Sequence, residues 1–252
     1  MKRNDLDLAA LPVVVEHGQA DPAALPAWRR VLAVVAHPDD ESFGLGAVLA
    51  AFAAAGSEVS VLCLTRGEAS TLRAVTGDLA EVRARELHGA AEVLGLTRVA
   101  LREFPDGDLA SVPLDTLVDE VGAFADGHPA EGIVVFDPSG ITGHADHQRA
   151  TEAAVAYARA NAIPVLAWTL PEQVADALRA GTGAPFSGHA PEGIDIVIEV
   201  DRTTQEQAVA CHPSQAVPGS VLWRRLELLG SREHLRWIHQ PDRTNDAPTE
   251  HP

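Results

Sequence analysis

Two short clusters carry most of the chemistry this sequence offers. In Ala36-His37-Pro38-Asp39-Asp40-Glu41, an imidazole stands three positions before a carboxylate at a proline-started turn, so both can point at one cation. Imidazole with carboxylate suits zinc or another divalent first-row ion. The plainer reading is an acidic turn leading into a helix, where the dipole favours negative charge. In the second cluster, Asp137 opens a loop that reaches Gly143-His144-Ala145-Asp146-His147. Two histidines three apart at a helix start share roughly one side of it. A cationic histidine is poorly placed there, whereas neutral imidazole bound to a metal or paired with a carboxylate is not. Together the clusters offer three ligands, His37, Asp40 and one of His144 and His147, with a position left for water, the pattern of a hydrolytic metal site. One carboxylate and one histidine remain, enough for a base and an acid in metal-assisted hydrolysis.

The clusters meet only if the chain sets both at one edge of a sheet. Residues 31–36, 58–64 and 132–136 are apolar runs that read as strands buried on both faces. A shorter strand is expected over 98–101, extended chain over 163–170 and a strand over 193–200. Helices are expected over 44–56, 78–95 with Asp78 as cap, 113–125, 144–160, 171–180 and 203–211, and a last helical segment over 220–238. This alternation predicts an α/β fold, a single doubly wound, mostly parallel sheet with helices on both faces. Ligands in such sheets sit beyond the carboxyl ends of the strands, which singles out the loops after Ala36, Leu64, Leu101 and Phe136. Residues 1–30 read as an irregular lead-in, 31–239 as the domain and 240–252 as a disordered tail.

Composition narrows the partners. The chain has 252 residues, 46% of them apolar and 22% charged, the balance of a soluble globular protein. With 36 acidic and 19 basic residues the net charge is −17, which disfavours nucleic acid and anionic membrane surfaces. It leaves room for a small anionic substrate in a locally positive pocket. Cys63 and Cys211 read as buried, reduced thiols. No signal peptide is read at the start, and no run reaches the roughly 18 apolar residues of a spanning helix. A cytoplasmic protein without membrane insertion is expected; self-association into a homo-oligomer is left open.

A strand ending in A-H-P-D-D-E followed by G-H-x-D-H at a later strand end resembles the LmbE-like or PIG-L-type family of zinc-dependent N-deacetylases, which act mainly on N-acetylglucosamine conjugates. The resemblance runs from about Val31 to Gln215 and takes in the segments 64–68, 83–87, 104–108 and 212–215. It implies a Rossmann-like deacetylase domain with zinc, or ferrous iron, on His37, Asp40 and His147. It also implies Asp39 as general base towards metal-bound water, and His144 as acid or oxyanion partner held by Asp146. Arg83 and Asp106 match positions that meet the sugar, and a small glycoconjugate is the implied partner. Arg66 and Glu68 are further candidates for substrate binding, and His212 for the pocket wall or for packing. Ala145 stands where the family usually has proline, and Gln205 where many members carry lysine. Two rivals are an amidase of the same superfamily acting on a thiol conjugate and a nucleotide- or sugar-binding module. For the latter, Gly44-Leu-Gly46 lacks the third glycine of the dinucleotide fingerprint.

Overall fold

Alternating side chains on the first strand sort the interior into two layers. In β1 (Arg30–Val35), Val31, Ala33 and Val35 join one buried cluster, while Leu32 and Val34 join a second with Ala36. A strand buried on both faces must lie inside a sheet covered by helices on each side. The computed structural model describes residues 24–72 and 75–241. The expected lead-in up to residue 23 and the tail from residue 242 lie outside them. Trp28 stacks on Phe52 with ring centroids 5.7 Å apart, tying the start of the described chain to the domain.

After β1 come α1 (Asp40–Phe43), α2 (Gly46–Ala54), β2 (Glu58–Thr65), α3 (Leu79–Leu94), β3 (Arg98–Phe104), α4 (Leu114–Ala125) and β4 (Gly132–Phe136). Then follow the helical turn α5 (Gly140–Gly143), α6 (Ala145–Ala160), β5 (Val165–Thr169), α7 (Glu172–Thr182), β6 (Ile196–Glu199), α8 (Thr203–Ala210), α9 (Val221–Leu229) and β7 (Arg232–His239). The strands form one seven-stranded sheet in the order β3-β2-β1-β4-β5-β7-β6. The pairs from β3 to β5 are parallel, and β7 runs antiparallel to both β5 and β6. The sheet is therefore mostly parallel, as expected. Helices α2, α7 and α9 cover one face through Val48, Phe52, Leu178 and Leu229, and α4 and α6 cover the other through Leu117, Val121, Ala150 and Ala154.

The chain winds outward from β1 through β2 to β3, then crosses back to β4 on the other side of β1. The strand order reverses between β1 and β4, and the crevice at such a switch point is where ligands bind. Both chemical clusters leave from those two strands.

Three expectations are corrected. The last helical segment is two elements: α9 ends at Gly230, whose φ of 56° and ψ of −130° suit glycine alone, and residues 232–239 return as β7. The helix expected over 44–56 is shorter, α2 over Gly46–Ala54, and a separate helical turn, Asp40–Phe43, precedes it. Cys63 is buried, but Cys211, at the end of α8, is only half-buried. The glycines that suggested nucleotide binding serve packing: a Cβ on Gly44 would run into the Phe136 ring, and one on Gly46 would meet the Gln205 side chain at 3.0 Å. Among the described residues, no helix is long and apolar enough to cross a membrane.

Candidate active site

The turn after β1 closes on Asp40. Its Oδ2 accepts from the backbone N–H groups of Ala36 at 3.1 Å and His37 at 2.9 Å, and its Oδ1 lies 3.2 Å from His147 Nε2. His147 Nδ1 donates to the Gly140 carbonyl at 3.3 Å. A carbonyl can only accept, so that contact puts a proton on Nδ1; Nε2 donates to Asp40 while the ring is cationic, and its lone pair is free for a metal once the ring is neutral. The loop carrying Gly140 is itself anchored. Buried Asp137 accepts from the Ser139 N–H at 2.9 Å and meets His189 Nε2 at 2.8 Å and Arg236 Nη1 at 3.3 Å.

His37 completes the cluster. The donor atoms of His37, Asp40 and His147 lie within 4.8 Å of one another, and His37, His144 and Asp146 form a second such set. Two imidazoles and a carboxylate are the donor chemistry of a divalent first-row metal, so the residues fit one. The charges agree with this. His37 Nε2 stands 3.1 Å from both Asp106 Oδ1 and Asp146 Oδ2. Burial alone would lower the imidazole pKa, but the bonds to Asp106, Asp146 and Asp40 push it up to about 12. Burial would raise the Asp40 carboxyl, yet His147 and His37 hold it well below the usual range. Three carboxylates around one buried ring make a pocket whose fixed charges call for a cation.

Asp39 is held differently. Its φ of 121° is rare for a residue with a side chain. Its N–H donates to Glu41 Oε2 at 2.9 Å, and its carboxylate pairs with Arg83 Nη2 at 2.9 Å. Arg83 also donates to the carbonyls of Gly67, at 2.7 Å, and Pro38. Burial raises the Asp39 carboxyl and, with Arg83 only partly opposing it, takes it to about 6.

Behind Asp39 lies a buried network whose pairings span the chain. Glu41 Oε1 accepts from Ser42 Oγ at 2.6 Å and contacts His212 Nε2 at 2.7 Å. The His212 Nδ1 lies 4.0 Å from Glu86 Oε2, and Glu86 accepts from Ser214 N–H at 2.9 Å and Ser214 Oγ at 2.5 Å. His212 thus packs, fully buried between two carboxylates, and does not line the cavity. Burial would lower its pKa, but Glu41 raises it, so the ring is held towards its cationic form. Removing the ring leaves both carboxylates facing each other. His212→Ala is therefore expected to destabilise the fold by about 3–5 kcal/mol, the usual range for breaking a buried ion pair, measured by urea unfolding. A loss under about 1 kcal/mol would show the network is slack. Gln205, at the lysine position of the resemblance, is also buried and donates to the Ser42 carbonyl at 3.1 Å.

The carboxylate of Asp146 is not where the sequence expects it. It faces His37 and accepts from Gly107 N–H at 2.7 Å and Leu109 N–H at 3.0 Å, while only the Asp146 backbone N–H, at 3.3 Å, reaches His144 Nδ1. The reason is local: His144 is the N-cap of α6, so its ring bends back over the first turn, whose side chains point elsewhere. With Nδ1 accepting, the neutral His144 ring carries its proton on Nε2. Burial and the neighbouring His147 and His37 lower its pKa. One cavity of about 490 Å³ is lined by His37, Asp39, Asp40, His144, His147, Arg83, Asp106 and Arg225. Arg66 is outside it, paired with Glu81 at 2.7 Å and Glu103 at 2.6 Å.

Residues 32–158 match the family model PIG-L, described as GlcNAc-PI de-N-acetylase. The 1D-myo-inositol 2-acetamido-2-deoxy-alpha-D-glucopyranoside deacetylase of Corynebacterium glutamicum (strain R) is 30% identical over 226 residues, covering 74% of each chain. The N-acetylglucosaminyl-phosphatidylinositol de-N-acetylase of Bos taurus is 26% identical over 213 residues, covering 81% of this chain and 79% of that one. A crystal structure of a deacetylase triple mutant from the teicoplanin biosynthetic pathway superposes with a TM-score of 0.65 at 23% identity, over 85% of this chain and 100% of that one, and so shares the fold. With half of its length under the family model and the metal-type cluster at the switch point, the chain belongs to the PIG-L family of de-N-acetylases.

Proposed function

We propose that residues 31–239 form a hydrolase that removes the acetyl group from the 2-acetamido nitrogen of an N-acetylglucosamine conjugate, a soluble small molecule met in the cytoplasm. One juxtaposition supports this most: the His37, Asp40 and His147 donors share a cavity with an Asp39 carboxyl poised near neutrality. The relatives' names give the amide and the sugar. His37, Asp40 and His147 would hold zinc, or ferrous iron, in preference to the set with Asp146, because each Asp146 oxygen already accepts a backbone N–H, whereas both N–H groups on Asp40 fall on Oδ2 and leave Oδ1 for a metal. When bound, such a metal supplies Lewis acidity and brings the pKa of a ligated water towards neutrality.

The chain's own residues do the rest. Asp39 accepts the proton of the attacking water, and Arg83 fixes the carboxylate that receives it. His144, with its proton on Nε2, donates to the amide oxygen as negative charge develops there. Asp39 and His144 are the groups placed to return a proton to the leaving amine. Arg83 and Asp106 border the cavity on the side of β2 and β3, where the sugar would lie.

The pH dependence follows from Asp39. Only its ionised form takes a proton, so kcat/KM should rise with pH through about 6 and fall away below it. A pH–rate profile on N-acetylglucosamine conjugates, with metal content followed at each pH, tests this. An acid limb absent at Asp39→Asn and present in the wild type supports the assignment; a wild-type profile flat between about pH 5 and 7 counts against it. Chelation should abolish turnover and added metal restore it, and turnover that survives complete metal removal would refute the hydrolase reading.

A further inference from the structure

Arg225 lines the same cavity but belongs to none of the groups above. It sits on α9, across the strand ends from Asp106, with its guanidinium carbon 5.1 Å from the Trp168 ring centroid. Its Nη2 donates to the Phe43 carbonyl and its Nε is buried without a partner. Its Nη1 makes no hydrogen bond among the described residues and is not among the buried orphan atoms, so it is open to the cavity. Arg83, Arg202 and Arg236 each pair with a carboxylate, Asp39, Glu233 and Asp137 respectively. Arg225 forms no ion pair among the described residues. Phe43, Phe136, Trp168 and Phe186 offer it ring faces, while Glu233, Asp39 and Asp40, the carboxylates that favour its charge from a distance, are paired with Arg202, Arg83 and His147.

A half-buried guanidinium kept without an anion is the exception in folded proteins, because desolvated charges are ordinarily paired. We infer that Arg225 is an oxyanion subsite of the cavity, its open Nη1 edge pairing with a carboxylate or phosphate oxygen of the ligand. Burial pulls the guanidinium pKa down to about 10, a strain on the charge that an anion would relieve, and the group stays cationic at neutral pH. Arg83, the other guanidinium lining the cavity, is already paired with Asp39, so away from the metal-type donors an anion meets Arg225. Two sources fit the chemistry: an acidic substituent on the substrate, or the acetate released by the reaction. The inference rests on the deacetylase reading only for which molecules reach the cavity.

The test uses metal-loaded protein carrying Asp39→Asn, so that nothing turns over, and calorimetric titration with three probes. These are N-acetylglucosamine 1-phosphate, its neutral counterpart methyl N-acetylglucosaminide, and sodium acetate. The phosphate should bind at least about tenfold more tightly than the methyl glycoside, and adding Arg225→Met should erase that preference while leaving the methyl glycoside unchanged. If acetate affinity alone falls with Arg225→Met, the subsite serves the product; if the phosphate preference alone falls, it serves the substrate. Equal affinity for the phosphate and methyl glycoside, with acetate binding unaffected by Arg225→Met, overturns the inference. Should Arg225→Met fail to fold, Arg225→Gln must reproduce the losses and Arg225→Lys keep part of the preference, or the inference fails. Turnover of the two sugars by wild type is scored separately. An enzyme that deacetylates both but binds them equally, with acetate binding unaffected by Arg225→Met, refutes the subsite alone. One that binds the phosphate through Arg225 but releases no amine refutes the deacetylase reading alone.

Discussion

Asp39→Asn should lower kcat by about 10²- to 10⁴-fold, the range for losing a positioned general base, with bound metal unchanged. The substitution keeps the shape of the side chain and an oxygen for Arg83, which holds the carboxylate at 2.9 Å, but removes the charge that accepts a proton. Asp39 belongs to neither set of metal-type donors, which separates this variant from a ligand loss. Steady-state amine release together with elemental analysis of the purified protein decides the matter. A kcat within about tenfold of wild type would remove Asp39 from the chemistry. Metal lost in parallel would recast it as part of the metal site.

Asp40→Ala should have the opposite signature, an enzyme emptied of metal. Asp40 bonds two backbone N–H groups with one oxygen and approaches His147 with the other, so it shapes the turn as well as binding. Partners one shell out from a metal typically contribute 10- to 100-fold in affinity, and a direct ligand that also builds the loop should exceed about 100-fold. Dialysed Asp40→Ala protein should therefore hold metal far below one equivalent and show no turnover at stoichiometric metal. The fold should persist, because the two core clusters do not include Asp40. Stoichiometric metal retained through dialysis would mean the ion is held by other residues.

The sequence makes the metal cluster legible because its information is local. His37 and Asp40 share one turn, His144 and His147 share another, and the apolar runs before them mark the two strands that bring those turns together. Contacts between distant segments are not legible in this way. The pairing of Glu41 with His212 spans 171 positions, and neither residue's spacing announces it. Arg83 and Glu86, buried on α3, read in a helical pattern as surface charge, yet they contact Asp39 and Ser214. The direction of the Asp146 side chain depends on where residues 107–109 lie, which periodicity cannot convey. The last strand was hidden for another reason: the mixed apolar and charged residues from 221 to 239 satisfy a helical period, and only Gly230 marks the break.

That last strand also orders events in time. β7 lies between β5 and β6, so β6, although made earlier, has no partner until residues 232–239 exist. Trp168 Nε1 in β5, likewise, finds Glu233 Oε2 at 2.6 Å only then. While the chain is still emerging from the ribosome, β5 presents an unpaired edge, and such edges invite association with other strands. Closure of the sheet must therefore wait until residues 232–239 have been made, and the half that holds β1 to β4 can take shape first. A chain stopped near residue 230 would keep every metal-type donor, but it would lose the strand that seals the sheet behind them.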